Sequence, residues 1–359
     1  MKVLVVSNMY PSETHPEYGT FVKNFCNQLE QIGIEYSLSV MHKSNSKVKK
    51  ISTYLKFYLK TFFKCLFEKY DIIYVHYPSY SAFPVIMANR LKKSNIYINL
   101  HGSDTIPITR NQSKMEKNTK KAVKISKKII VPSEYFKKVV SEKYHIDGNE
   151  IYIYPSGGIN EKIFYPFTEV CVNNLKHNLE IRDGKYLVGF VSRINDAKGW
   201  KTFMKAAFEI CKSRDDIEFV IVGSGEDDNI LDDMLNESGN NERFYRFPSQ
   251  SQEKLAEIYN ILDVYIFPTN SLSESLGLVA IEAMACGKPV IASDYAAPKY
   301  YVKDSVNGYK FERGNYRQLA ETIIKYIDDR HKEVLVQGAL QTADRYSSKN
   351  VVEELKQIF

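Results

Sequence analysis

Cysteine, tryptophan and long apolar runs are all scarce in this chain of 359 residues. The five cysteines, Cys26, Cys65, Cys171, Cys211 and Cys286, are scattered, odd in number and without a C-x-x-C pair. That pattern excludes a disulfide framework and reads as free thiols in a reducing compartment. No window approaches the ~20 apolar residues needed to cross a bilayer. The opening run Met1–Ser7 is too short for a signal peptide and reads as a first buried strand, so a cytoplasmic protein is expected. A G-x-G-x-x-G turn is absent, which speaks against a nicotinamide or flavin enzyme. There is no H-x-x-x-H pair and no loop Asp-x-Asp. Asp227-Asp228 and Asp232-Asp233 read as helix-start and surface acids, so no metal is expected.

What is present is ordinary for a folded protein: 44% hydrophobic and 26% charged residues. The net charge of +6 fits an anionic partner, with nucleotide-sugar, acidic lipid and nucleic acid all open on charge alone. Strand-like runs alternate with helical patterns from the start. Val3–Ser7, Tyr36–Val40, Ile72–His76, Ile96–Leu100, Ile129–Pro132 and Ile151–Tyr154 read as strands, with helices between them. The stretch 165–183 is weakly periodic and reads as a linker. The alternation then restarts with Tyr186–Val191, Ile217–Val222, Phe244–Phe247, Val264–Phe267 and Val290–Ala292. The expected architecture is α/β, with two doubly wound, Rossmann-like domains facing a central cleft at the carboxyl ends of their strands. Residues 1–165 form the first domain and 184–344 the second. A C-terminal helix over about 345–359 is expected to pack back on the first.

One stretch concentrates the chemistry. Ser273–Ala292 begins after the strand Val264–Phe267, carries Glu274 and Glu282 with seven residues between them, and has helical periodicity over 276–286. Gly287 and Pro289 then stop the helix. Free N–H groups at Leu276, Gly277 and Leu278 would face an anion above the strand end. Glu274 is placed to reach a sugar hydroxyl, and Glu282 offers two acceptors to a vicinal diol. A second segment, Gly189–Gly199, ends a strand and sets Arg193 and Lys198 beside a helix entry, a fork and a point charge suited to a diphosphate. His101 follows another strand at the carboxyl edge, in His101-Gly102-Ser103-Asp104.

These segments resemble the Glu-x7-Glu, Gly-x-x-x-Arg…Lys-Gly and His-Gly-x-Asp signatures of retaining glycosyltransferases of the GT-B fold, family 4. Nearly the whole chain is covered, with the motifs in family order. The chain reads Glu-Ser-Leu-Gly where the family usually reads Glu-Gly-Phe-Gly. The resemblance implies a nucleotide-diphospho-sugar donor, UDP on family frequency, and catalytic positions at His101, Arg193, Lys198 and Glu274. It implies donor contacts at Gly19, Asp104, Gly223, Phe247, Leu276, Gly277, Leu278 and Glu282. It implies no cofactor and no metal, a glycan or polyprenyl-linked acceptor, and no nucleic acid. The opening segment resembles bacterial members that build capsule or other surface glycans. A nucleotide-sugar epimerase on the same fold and a non-catalytic binding partner stay open as alternatives.

The helix expected over 51–69 is basic and aromatic. One face carries Ile51, Leu55, Tyr58, Leu59, Phe62, Phe63, Leu66 and Phe67, and the other Lys49, Lys56, Lys60 and Lys64. Two readings fit: a crossover helix with its apolar face packed inward, or peripheral contact with an anionic membrane.

Overall fold

The computed structural model describes residues 1–15, 18–43 and 47–359, with 47–49 given by backbone alone. Two compact units divide the chain: Met1–Gly157 with Val351–Phe359, and Gly158–Asn350.

The first unit is built on β1 (Lys2–Ser7), β2 (Glu35–Val40), β3 (Ile72–His76), β4 (Ile96–Asn99), β5 (Lys128–Val131) and β6 (Ile151–Ile153). They form one sheet in the order β2-β1-β3-β4-β5-β6, with every pairing parallel. Runs such as Val3–Val6 are buried completely, because a parallel sheet takes crossover helices on both faces. The chain leaves β1 for β2 on one side and returns to lay β3 on the other. The loops after β1 and β3 therefore part at their carboxyl ends and leave a crevice. Val351, Leu355 and Ile358 of the last helix, Ser348–Ile358, join this unit's core. Lys128 Nζ donates to the Ile358 carbonyl at 2.6 Å.

The second unit repeats the plan. It holds β7 (Tyr186–Val191), β8 (Ile217–Val222), β9 (Phe244–Phe247), β10 (Val264–Phe267), β11 (Val290–Ser293) and β12 (Gly308–Phe311). The order is β12-β11-β10-β7-β8-β9, again all parallel. Here the direction of winding reverses between β7 and β10.

Three local expectations are corrected. The stretch 165–183 contains a helix, Glu169–Asn178, whose N-cap Thr168 accepts from Cys171 N at 3.4 Å. None of its residues is buried, so it carries no apolar stripe for periodicity to detect. The strand β12 and the short helix Pro298–Tyr301 are too brief for a pattern. The helix placed at 276–286 runs over Leu278–Ala285, so Leu276 belongs to the loop before it.

Candidate functional site

In the second unit two loops meet where the winding reverses. Residues 192–199 follow β7 and residues 268–277 follow β10. Asn270 N donates to the Ala197 carbonyl at 2.9 Å and Thr269 Oγ1 to the same oxygen at 3.4 Å. Gly199 sits at φ 74°, and a β-carbon there would lie 1.7 Å from the Pro268 carbonyl oxygen. Only glycine permits that approach. The contact sets Lys198, at the end of a 3-10 turn, onto the β10 loop, where its ammonium forms an ion pair with Glu274 Oε2. Both side chains are largely enclosed, 19% and 12% exposed, so the charges are weakly screened. Arg193 lies in the same β7 loop and is exposed, and its guanidinium forms no hydrogen bond or ion pair with another described residue.

Past Glu274 the chain turns through Gly277, the N-cap of helix Leu278–Ala285. The N–H groups of Leu276, Gly277 and Leu278 donate to no described residue. Open amides at a helix start favour an anion. Beside Gly277 stands the buried Tyr301 hydroxyl, which has no partner among the described residues. Glu282, a little over one turn into the helix, is half-buried, and burial pushes its carboxyl up to about 7 despite a 3.5 Å hydrogen bond from the Tyr259 hydroxyl. The buried Tyr265 phenol is raised by burial first, then by the charges of both Glu274 and Glu282. Both acids thus lie near the Tyr265 phenol.

The raised Glu282 group has a stability consequence of defined sign. Its folded-state value, about 7, exceeds the ordinary 4.5, so the folded protein binds the extra proton between those limits. Stability from this group is intact at acid pH and is lost as pH rises through about 7. Glu282→Gln removes the ionisation. The Tm of the variant is expected to exceed wild type at pH 8 and to equal it near pH 4.5, as read by calorimetry across that range.

Behind these loops lies a turn at Gly223-Ser224-Gly225, after β8. Gly223 N donates to the Phe247 carbonyl at 3.0 Å, and Arg246 Nη1 donates to the Gly223 carbonyl at 2.6 Å. Asp228 ties the turn from the other side, accepting from Gly225 N and Arg246 Nη2, each at 2.9 Å. Phe247 is half-buried at the end of β9.

His101, Asp104 and Gly19 belong to the first unit. Asp104 is completely buried, and its carboxylate accepts from His101 N at 3.1 Å and Gly102 N at 2.9 Å. The Asp104 carboxylate thus clamps the loop that presents His101. His101 Nε2 lies 3.1 Å from Nδ1 of His76, the buried last residue of β3. Burial lowers both imidazoles, His101 to about 3. Both rings are therefore neutral at physiological pH, and one donates to the other. Phe21 covers the His101 ring at 4.5 Å between centroids. Gly19 caps helix Thr20–Gln31 against the Met9–Tyr10 backbone.

The two halves of the chain match two family descriptions. Residues 2–157 match Glycosyltransferase Family 4, and residues 172–340 match Glycosyl transferases group 1. The chain carries the two domains of a GT-B glycosyltransferase. It is 27% identical over 299 residues to an uncharacterized glycosyltransferase of Methanocaldococcus jannaschii, covering 81% of this chain and 76% of that one. It is 28% identical to the D-inositol 3-phosphate glycosyltransferase of Corynebacterium urealyticum, over 61% of this chain and 53% of the relative. With the capsular polysaccharide biosynthesis glycosyltransferase CapM of Staphylococcus aureus it shares 25% identity, over 64% of this chain and 60% of the relative. The chain thus spans little more than half the length of the latter two. Among solved structures, Anabaena HepE in complex with UDP and glucose superposes with a TM-score of 0.76 at 16% identity, over 99% and 98% of the two chains. Sucrose-phosphate synthase of Thermosynechococcus elongatus gives 0.80 at 18%, over 99% and 97%.

The group 1 domain therefore holds Arg193, Lys198, Gly223, Phe247, Glu274, Leu276–Leu278 and Glu282, and the family 4 domain holds Gly19, His101 and Asp104. Four further residues were not foreseen: His76, Asp228, Arg246 and Tyr301. His76 and Asp228 had a signal, a strand-end histidine and an acid following a Gly-x-Gly turn. Arg246 and Tyr301 had none, because each acts on a loop distant in sequence.

Proposed function

We propose that this glycosyltransferase is a retaining hexosyltransferase that moves a sugar from a nucleotide-diphospho-sugar, with UDP as the nucleotide, to a glycan or polyprenyl-linked acceptor in bacterial surface polysaccharide synthesis. The observation that carries the reading is the meeting of Lys198, Glu274 and the open amides of Leu276–Leu278 where the β7 and β10 loops converge, with Arg193 in the same loop and Glu282 behind. The complex of HepE with UDP and glucose and the likeness to CapM support the choice of nucleotide and pathway.

In this reading the bond between the anomeric carbon and the β-phosphate oxygen breaks, and negative charge gathers on the departing diphosphate. Arg193, Lys198 and the helix-start amides receive it, and fixed donors in an enclosed site are effective because they need not reorganise. Glu274 holds Lys198 in place and offers its second oxygen to a sugar hydroxyl. Glu282 accepts from the ribose hydroxyls. In the family 4 domain, neutral His101 is the candidate hydrogen-bonding group for a sugar hydroxyl. The acceptor hydroxyl attacks on the face the leaving group vacates, its oxygen bonding to the anomeric carbon and its proton passing to the departing diphosphate. No nucleophile or general base is assigned.

Because protein cations meet the leaving charge, turnover is expected to persist in EDTA. The test is nucleotide release from UDP-, GDP-, ADP- and dTDP-sugars with EDTA present, with the product anomer read by NMR. Release from a UDP-sugar with retained configuration is expected. An inverted product, loss of turnover on chelation, or interconversion of sugars without release would contradict the reading.

A further inference from the structure

Helix Lys47–Phe67 is apolar on two sides. Phe57 and Cys65 are buried against the first unit, as expected of a crossover helix. Ile51, Leu55, Leu59, Phe63 and Phe67 form an i, i+4 ridge in which every residue is 50–77% exposed. The neighbouring helix Pro78–Leu91 adds exposed Phe83, Met87 and Leu91 at the same spacing. The two sets are continuous, since Phe83 packs on Tyr58 at 5.6 Å between centroids. A shallow groove of about 280 Å³ beside them is lined by Tyr58, Phe83 and Met87 together with Arg90, Lys117 and Lys121. Inward packing of the apolar face thus accounts for only half of this helix, and large contiguous apolar patches mark interaction surfaces.

Charge selects the occupant. Between residues 47 and 93 the chain carries ten Lys or Arg against two acids, Glu68 and Asp71. Lys56 and Lys60 are exposed in the row next to the ridge, while the side chain of Lys49 lies outside the described residues. A second copy docking by a two-fold axis would set these lysines against their own kind. Anionic headgroups complement them, and acyl chains take the ridge. The helix also begins beside the loop that follows β1, where Asn8 Nδ2 donates to the Tyr54 hydroxyl at 3.3 Å. The ridge therefore starts at the ligand-binding edge of its sheet.

We propose that helices Lys47–Phe67 and Pro78–Leu91 form a docking surface for an anionic lipid bilayer, lying along the headgroups without crossing them. No helix among the described residues is long and apolar enough to span a membrane. The surface is independent of the reaction assigned above.

The test floats the full chain with phosphatidylcholine vesicles, with and without phosphatidylglycerol, in rising salt. Wild type is expected to float with the anionic vesicles only, and less as salt increases. The triple variant Leu55→Ser, Leu59→Ser, Phe63→Ser and the double variant Lys56→Glu, Lys60→Glu are each expected to lose binding about tenfold or more. Their Tm should match wild type because the altered residues are exposed. Donor turnover in solution, measured on the same samples, reads the reaction separately. Wild type that stays with the soluble fraction, variants that float like wild type, or a triple variant that only converts a dimer to a monomer would each overturn the proposal.

Discussion

Lys198→Ala lowers kcat/KM by about 10²–10³-fold, the loss typical of removing one preorganised donor from a developing anion. Two effects combine in that figure. The ammonium no longer meets the diphosphate, and Glu274 is left enclosed without its partner. An unpaired carboxylate in that position repels the incoming diphosphate and destabilises the loop. The double variant Lys198→Ala, Glu274→Gln separates the two. It is expected to recover thermal stability lost in the single variant while activity stays low, because the neutral amide needs no counter-ion yet supplies no cation. A double-mutant cycle in Tm and in kcat/KM gives the coupling directly. Recovery of activity along with stability would show that Lys198 serves only to neutralise Glu274.

Gly199→Ala is expected to be the most destabilising small substitution in the site. The left-handed backbone alone costs an alanine about 1–2 kcal/mol, and a β-carbon at 1.7 Å from the Pro268 carbonyl forces the β7 and β10 loops apart. Gly314 provides the comparison, since its φ of 78° is similar and nothing lies within 4 Å of the added carbon. Gly314→Ala should lose only the backbone cost, with activity unchanged. Gly199→Ala should lose more than twice as much in chemical denaturation and abolish turnover, because Lys198 and Glu274 sit on the separated loops. Equal losses in the two variants would mean that the loop contact contributes nothing.

How legible the site was follows from where each residue acts. Lys198, Gly199, Glu274, Gly277 and Glu282 act within one or two turns of a strand end or helix start, so local pattern was enough to bring them forward. The strands were legible for a similar reason: Ile217–Val222, broken only by Glu218, and Ile72–Val75 are apolar runs, buried on both faces as a parallel sheet demands. Arg246 and Tyr301 support the site across long sequence separations, and no local signal announces such contacts. Asp104 shows the converse. Its place in a motif suggested a ligand contact, and only the structure shows its buried carboxylate accepting from the His101 and Gly102 N–H groups. Helix Glu169–Asn178 was missed because an exposed helix has no stripe. Helix Lys47–Phe67 was ambiguous because it is apolar at nearly every turn. Only the fold tells the buried Phe57 from the exposed Leu55 and Leu59.

The decisive measurement is calorimetric titration of UDP, GDP, ADP and dTDP into the full chain and into the Arg193→Ala and Glu282→Ala variants. The Arg193 side chain is exposed and has no partner among the described residues, so its removal should leave the fold intact and report on the ligand alone. Binding of at least one of these diphosphates, UDP foremost, with at least tenfold weaker affinity in each variant, is the expected result. A chain that binds none of them, or variants that bind as tightly as wild type, would contradict a diphosphate held between the β7 and β10 loops.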